Sequence, residues 1–327
     1  MSDFLLVIDR RDTVVTLNGG ALRVVRSGET AQQVPLGLLG QVVVYGAPQV
    51  GCDVWRALSK RGIPVVLHSL RGALESVYMG SVLGASIAVR VAQHRLVQSG
   101  SVAVAQDLVL AKVQGYRLLL AQLPDGEGVR ESLRQRLDSV PSAEGCSTLM
   151  GIEGACGALW WGWLATHLPA CWLFSGRNRR PPQDPVNALL SLSYTLLESE
   201  VLAEIQRQGF DPALGFLHGI VPGRSSLVFD LMEPLRAGVD AFVLSLLDEV
   251  LLPSHFSGVG EGCRLDKEGR ALFYRAWAKA RTAWPLLPFG MECGDEASLM
   301  RCCGFVAKGV RHSLGRYSPS TGEKICG

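Results

Sequence analysis

The chain has 327 residues, 48% of them hydrophobic and 19% charged, which excludes an intrinsically disordered protein and leaves room for one large core or two unequal ones. With 32 Lys plus Arg against 30 Asp plus Glu the net charge is only +2, so a general affinity for polyanions is excluded and any nucleic-acid surface must be a local patch. Nine cysteines at irregular spacing, without a CxxC pair, read as reduced thiols of a cytoplasmic protein rather than as a disulfide framework.

The N-terminal stretch MSDFLLVIDRRD has a short apolar run with charges straight after it, which is not the pattern of a signal peptide. The first eighty residues read as β-rich: FLLVID, then TVVTLNGGALRVV with its turn at Asn18, Gly19 and Gly20, then QVVVYG, IPVVLHS and ESVYMG. One helix, CDVWRALSKRG, is set among them and closes at Gly62. From about Ser86 the period changes to that of long helices, in IAVRVAQHRLVQ, SVAVAQDLVLAKVQGYRLLLAQL and VRESLRQRLDSV. The expected fold class is therefore α+β: a small N-terminal β domain, residues 1–85, followed by a larger all-helical domain, residues 86–327.

Within the second domain, loops are expected at 124–128, 142–145, 175–185 and 253–262, and helicity elsewhere to the end of the chain. Gly154 to Phe174 is a run without a formal charge, followed by GRNRR, a pattern that a membrane span would also show. Interior His167 and Pro169, and the lack of a second candidate span, favour a buried helix, with Glu153 placed immediately before it. NALLSLSYTLLESEVLAEIQRQG reads as an amphipathic helix ending at Gly209, and LDKEGRALFYRAWAKARTA as another, basic along one side. Cys293, Cys302, Cys303 and Cys326 lack the paired spacing of a structural zinc site, and their role stays open.

The stretch GFLHGIVPGRSSLVFDLMEPLR sets His218, Asp230 and Glu233 among apolar residues, where charges are costly unless paired. A helix capped by Ser225 or Ser226 would put Asp230 and Glu233 on one face, with Pro234 kinking it. A divalent cation held by these acids and His218 explains the pattern; a helix cap, a solvated first-turn acid and a core histidine explain it equally on spacing alone. Arg177, Arg179 and Arg180, in a loop stiffened by Pro181 and Pro182, suit phosphate contacts or a plain solvated loop.

Four segments in order, GIEG around Glu153, GRNRRPPQDPVNALLSLSYTLL, GFDPALGFLHG and SSLVFDLMEPLR, resemble the CRISPR-associated spacer-acquisition integrase family, the adaptation endonuclease of CRISPR loci. The resemblance covers most of residues 150–240, and the last seventy residues match loosely. It implies Glu153, His218 and Glu233 as catalytic ligands of Mg²⁺ or Mn²⁺, and Asp230 as a catalytic acid beside them that orients His218 or a metal-bound water. It further implies Arg177, Arg179, Arg180 and Arg224 on DNA phosphates, and Tyr194 packing or stacking at a strand end.

The implied protein is a cytoplasmic homodimer that joins a small CRISPR-associated partner dimer in a heterohexamer, with residues 1–85 serving dimerisation or partner contact. Its substrates are double-stranded DNA, as fragment and as CRISPR array, and its reaction is insertion of new spacers at the leader-repeat by 3′-hydroxyl transesterification. Two other readings remain: a structure-selective, metal-dependent nuclease of DNA repair, and, more distantly, a non-catalytic membrane or scaffold protein.

Overall fold

The computed structural model describes residues 4–69, 72–79, 87–178, 181–260, 262–292 and 297–317. The expected boundary at 85/86, together with Arg179, Arg180, Cys293 and Cys326, lies outside the described residues.

The β region is two sheets rather than one. β1 (Phe4–Ile8), β5 (Leu39–Tyr45), β7 (Val65–Ser69) and β8 (Gly72–Met79) form the first, in the order β1-β5-β7-β8. β1 runs parallel to β5 and β5 to β7, whereas β8 returns antiparallel. β2 (Thr13–Asn18), β3 (Ala21–Arg26), β4 (Gln32–Pro35) and β6 (Gln49–Val50) form the second, in the order β4-β3-β2-β6. The expected hairpin closes where Asn18 pairs with Ala21, and Gly19 takes the positive φ of 59° that the two-residue turn requires. Alternate side chains of both sheets, Ile8, Val15, Leu22, Val24, Val42 and Val44, meet Val54 and Leu58 of α1 (Cys52–Lys60) in one core.

The helical region has its own, larger core. It comprises α2 (Ile87–Gln98), α3 (Ala103–Leu120), α4 (Glu127–Leu137), α5 (Cys146–His167), α6 (Pro185–Gln208), α7 (Ser226–Met232), α8 (Arg236–Glu249), α9 (Lys267–Thr282) and α10 (Leu299–Tyr317). At the loop expected over 253–262 the chain forms a short antiparallel pair, β9 (Phe256–Ser257) and β10 (Arg264–Leu265). α3 packs on α4, α5, α8 and the 3₁₀ turn Glu233–Leu235, and so runs through the middle of the assembly.

Helix α5 starts at Cys146, capped by extended Gly145, so Glu153 stands two turns inside it rather than before it. Burial of Leu149, Cys156, Trp160 and Leu164 on neighbouring helices outweighs the low helix propensity of Gly151 and Gly154. Among the described residues no helix is long and apolar enough to cross a membrane, and Trp160 and Trp163 are core residues. The thiols of Cys302 and Cys303 are buried on α10, where burial raises the Cys303 thiol well above its usual range.

A hydrogen bond ties the two regions, and a second set, within the helical region, fixes the ground under the site. His68 of β7 is hydrogen-bonded through Nε2 to Ser199 Oγ of α6 at 2.7 Å, and its ring stacks on Tyr45. Gln93 of α2, fully buried, donates to the carbonyls of Asp211 and Leu214 and accepts from the Asp211 N–H. The Gln93 bonds clamp the loop that leads from α6 to His218.

Candidate metal centre

Three segments bring the site together: the middle of α5, the loop 215–219, and the junction between α7 and α8. A cavity of about 350 Å³ is lined by Glu153 from the first, His218 from the second and Glu233 from the third. Lys112, Arg177, Arg224 and Arg236 also line it, and Trp161 and Phe229 supply apolar wall.

Asp230 organises the loop. It is fully buried, and its Oδ2 accepts from the N–H groups of Phe216 and Leu217, the latter at 3.0 Å. Oδ1 accepts from the His218 N–H at 2.9 Å and from the His218 ring at Nδ1, 2.7 Å away. A carboxylate can only accept, so Nδ1 carries the proton and the lone pair of His218 is on Nε2. Gly215 admits no side chain here, since a Cβ would stand 2.5 Å from the His218 carbonyl oxygen and 2.9 Å from Asp230 Oδ2. Asp230 and Glu233, three residues apart, therefore do not share one cation: the first is neutralised by three backbone dipoles and an imidazole, the second by side-chain cations.

Pro234 explains that divergence. α7 ends at Met232, and the chain tightens into a 3₁₀ turn at Glu233–Leu235 before α8 resumes; Ser225 stands at the N-cap position of α7 but its side chain makes no capping bond. Glu233, only 2% exposed, accepts from Arg236 Nε at 2.8 Å and stands 2.6 Å from Lys112 Nζ. Burial pushes the Glu233 carboxyl up, but Arg236 and then Lys112 outweigh it and hold the group down to about 2. Lys112, from α3, also forms an ion pair with Glu153, so one ammonium bridges the two carboxylates.

Below the acids lies a polar platform. Tyr116 and Trp160 donate to Asp240 Oδ2, each at 2.9 Å, and Tyr194 donates to Oδ1 at 2.6 Å. Burial raises the Asp240 carboxyl to about 6 against these donors. Arg236 lies over the Tyr194 ring, 4.9 Å from its centroid, and Arg177 at 5.7 Å. Tyr194 is thus packed beneath two guanidinium groups with its hydroxyl committed, rather than projecting to stack on a strand end.

The loop before α6 is stitched to that helix. Asp184 caps it by accepting from the Asn187 N–H at 2.8 Å, with Pro185 in the first turn. Asn187 Oδ1 accepts from Arg177 and from the Asn178 N–H, while its Nδ2 donates to the Gly176 carbonyl. Arg177 is thereby held at the cavity. Arg224 reaches it from the other side, donating to the Gly219 carbonyl at 2.7 Å and to Ser226 Oγ at 3.2 Å.

The donor set fits a hard divalent cation: two carboxylates and one imidazole nitrogen, with the Lys112 ammonium standing in for positive charge between the acids. In this conformation, no group of three His, Cys, Asp or Glu side chains among the described residues is gathered closely enough to hold an ion. Sequence reasoning missed Lys112, Arg236, Tyr116, Trp160 and Asp240. Lys112 had a usable signal, because it falls in the buried stripe Leu108, Lys112, Tyr116, Leu119 of an otherwise apolar helix face.

The family described as "CRISPR associated protein Cas1" matches residues 6–279. A curated relative, CRISPR-associated endonuclease Cas1 1 of Thermodesulfovibrio yellowstonii, is 32% identical over 298 residues, covering 85% of this chain and 92% of its own. Among solved structures, a CAS1 protein from Thermotoga maritima superposes with TM-score 0.79 at 19% identity, covering 99% of both chains. A casposase bound to integration product superposes at 0.78 and 20% identity over 99% of this chain and 92% of its own. A chain of a Cas6-RT-Cas1–Cas2 complex does so at 0.77 and 21% identity over 97% of this chain and 35% of its own. The chain has an N-terminal β region, a helical remainder and the layout of these structures, and it belongs to the Cas1 family of CRISPR-associated proteins.

Proposed function

We propose that this protein is a divalent-metal-dependent DNA endonuclease and integrase of CRISPR adaptation, which joins the 3′-hydroxyl ends of a short DNA fragment to the leader-repeat of a CRISPR array. The observation that carries the reading is the convergence of Glu153, His218 and Glu233, from three separate elements, on one cavity walled by arginines. Magnesium or manganese held there supplies Lewis-acid polarisation of the scissile phosphate and stabilisation of the leaving 3′-oxygen.

The chain's own residues do the rest. Glu153 and Glu233 offer anionic oxygens and His218 offers Nε2, while Asp230 keeps the ring in that tautomer. Arg236, braced on Tyr194, holds the Glu233 carboxylate in place. Arg177 and Arg224 bind the phosphates that flank the scissile bond, in the manner of charge-assisted positioning contacts. Trp161 and Phe229 keep part of the cavity wall dry, which strengthens every charge interaction inside it.

Relatives named as endonucleases and a fold neighbour bound to an integration product support cutting and joining chemistry, and a neighbour from a Cas1–Cas2 assembly supports a small CRISPR-associated partner. We extend this to a homodimer that flanks a dimer of that partner, with the β region as the contact surface. The test is a strand-transfer assay with the protein, that partner, a labelled duplex with free 3′-hydroxyls and a plasmid bearing repeats. Joined product that requires Mg²⁺ or Mn²⁺ and disappears in folded Glu153→Ala, His218→Ala and Glu233→Ala supports the reading. Joining that persists in all three refutes the assigned site, and cutting of branched DNA without joining refutes the integrase role in favour of a repair nuclease.

A further inference from the structure

The walls of the cavity are electrically balanced without any metal. Four acids, Glu153, Asp230, Glu233 and Asp240, face or underlie it, against four cations, Lys112, Arg177, Arg224 and Arg236. The Lys112 ammonium has a particular place in that balance. It is 5% exposed, it comes from α3, the helix on which the site is built, and it bridges the two carboxylates assigned above to a divalent ion. Glu233 stays neutralised by Arg236 if Lys112 leaves, whereas Glu153 has no second cationic partner among the described ion pairs.

A divalent ion added to this arrangement raises the local charge by two, with the Lys112 ammonium already at the acids. Between charges a few ångströms apart in a largely buried site that repulsion is severe. It is relieved when Lys112 gives up the carboxylates and a phosphate arrives to accept its ammonium. We propose that Lys112 is a resident counter-cation that makes metal entry conditional on DNA: it holds Glu153 and Glu233 in the metal-free protein and passes to a backbone phosphate as the ion is bound. The inference rests on the metal reading of the site. By linkage, DNA tightens metal binding and metal tightens DNA binding by the same factor.

The experiment measures Mn²⁺ binding to the full chain by electron paramagnetic resonance and calorimetry, with and without a short blunt DNA duplex. In the wild type, the duplex tightens Mn²⁺ at least roughly ten-fold, and Lys112→Met tightens DNA-free Mn²⁺ binding by a similar factor while the coupling to DNA shrinks to below about three-fold. Lys112→Arg keeps the charge and keeps DNA-free binding weak. Adding Glu233→Gln to Lys112→Met removes the gain, which ties it to this site. If wild type binds Mn²⁺ equally with and without duplex, or if Lys112→Met matches wild type without DNA, the inference is overturned while the metal centre stands. The wild-type comparison decides the matter even where Lys112→Met does not fold. If neither protein binds Mn²⁺ in either condition, the metal reading falls and the inference with it.

Discussion

Replacing Asp230 by Asn is the substitution whose cost is set most directly by the geometry. Oδ2 accepts two backbone N–H groups and Oδ1 accepts a third plus the His218 ring, and the carboxylate has no solvent exposure to compensate for a loss. An amide keeps one acceptor oxygen and turns the other position into a donor. With its NH₂ in place of Oδ2 it faces the Phe216 and Leu217 N–H groups and leaves two buried donors unpaired; with its NH₂ in place of Oδ1 it orphans the His218 N–H, and the ring must move its proton to Nε2 to accept from the amide. At about 1–3 kcal/mol for each orphaned donor, Asp230→Asn in its less costly orientation destabilises the protein by about 1–3 kcal/mol, although it changes no volume. Equilibrium urea unfolding of the whole chain, followed by tryptophan fluorescence, reads this directly, because Trp160 and Trp163 lie in the same core. A loss below about 1 kcal/mol with an unchanged m-value would refute the view that Asp230 holds the 216–218 loop.

Gly215→Ala attacks the same loop by steric means: its Cβ would stand 2.9 Å from Ser226 Cβ and closer still to the His218 carbonyl oxygen, so a loss of about 1–3 kcal/mol in thermal unfolding is expected, and an unchanged midpoint would show that the loop yields freely. His68 gives a pH signature. Burial lowers its imidazole from 6.5 to about 4, so the folded state disfavours the protonated ring, and its contribution to stability is complete above pH 6.5 and lost as the pH falls toward 4. Across that window the wild type loses about 3 kcal/mol more than His68→Phe, which keeps a ring against Tyr45 but cannot titrate; parallel pH–stability curves for the two would contradict the assignment.

Much of this protein is local in origin and was open to reading from the chain alone. The β2–β3 hairpin, the start of α6 at Asp184-Pro185, its stop at Gly209 and the helical period after residue 86 each depend on residues within a few positions of one another, where turn, cap and periodicity rules operate. Glu153, His218 and Glu233 were legible for a different reason: as a set they came from the four segments that resemble the family, because apolar surroundings alone left a helix cap and a core histidine equally open. What pairs with the acids in the metal-free chain was not legible. Lys112 lies 41 residues before Glu153 and more than a hundred before Glu233, and only the packing of α3 against α5 and the 233–235 turn brings its ammonium between them.

The same holds for the split between Asp230 and Glu233. Their spacing on a helix predicts a shared face, but Pro234 tightens the chain at Glu233, and Asp230 is claimed by backbone N–H groups of a loop twelve to fourteen residues earlier. The platform of Tyr116, Trp160 and Tyr194 on Asp240 likewise gathers four residues from four helices. Sequence pattern thus determined which segments are helix or strand and, by resemblance, which residues are candidates for the site. The tertiary structure alone decided which charge meets which, because ion pairs and hydrogen bonds act over a few ångströms and pay no regard to distance along the chain.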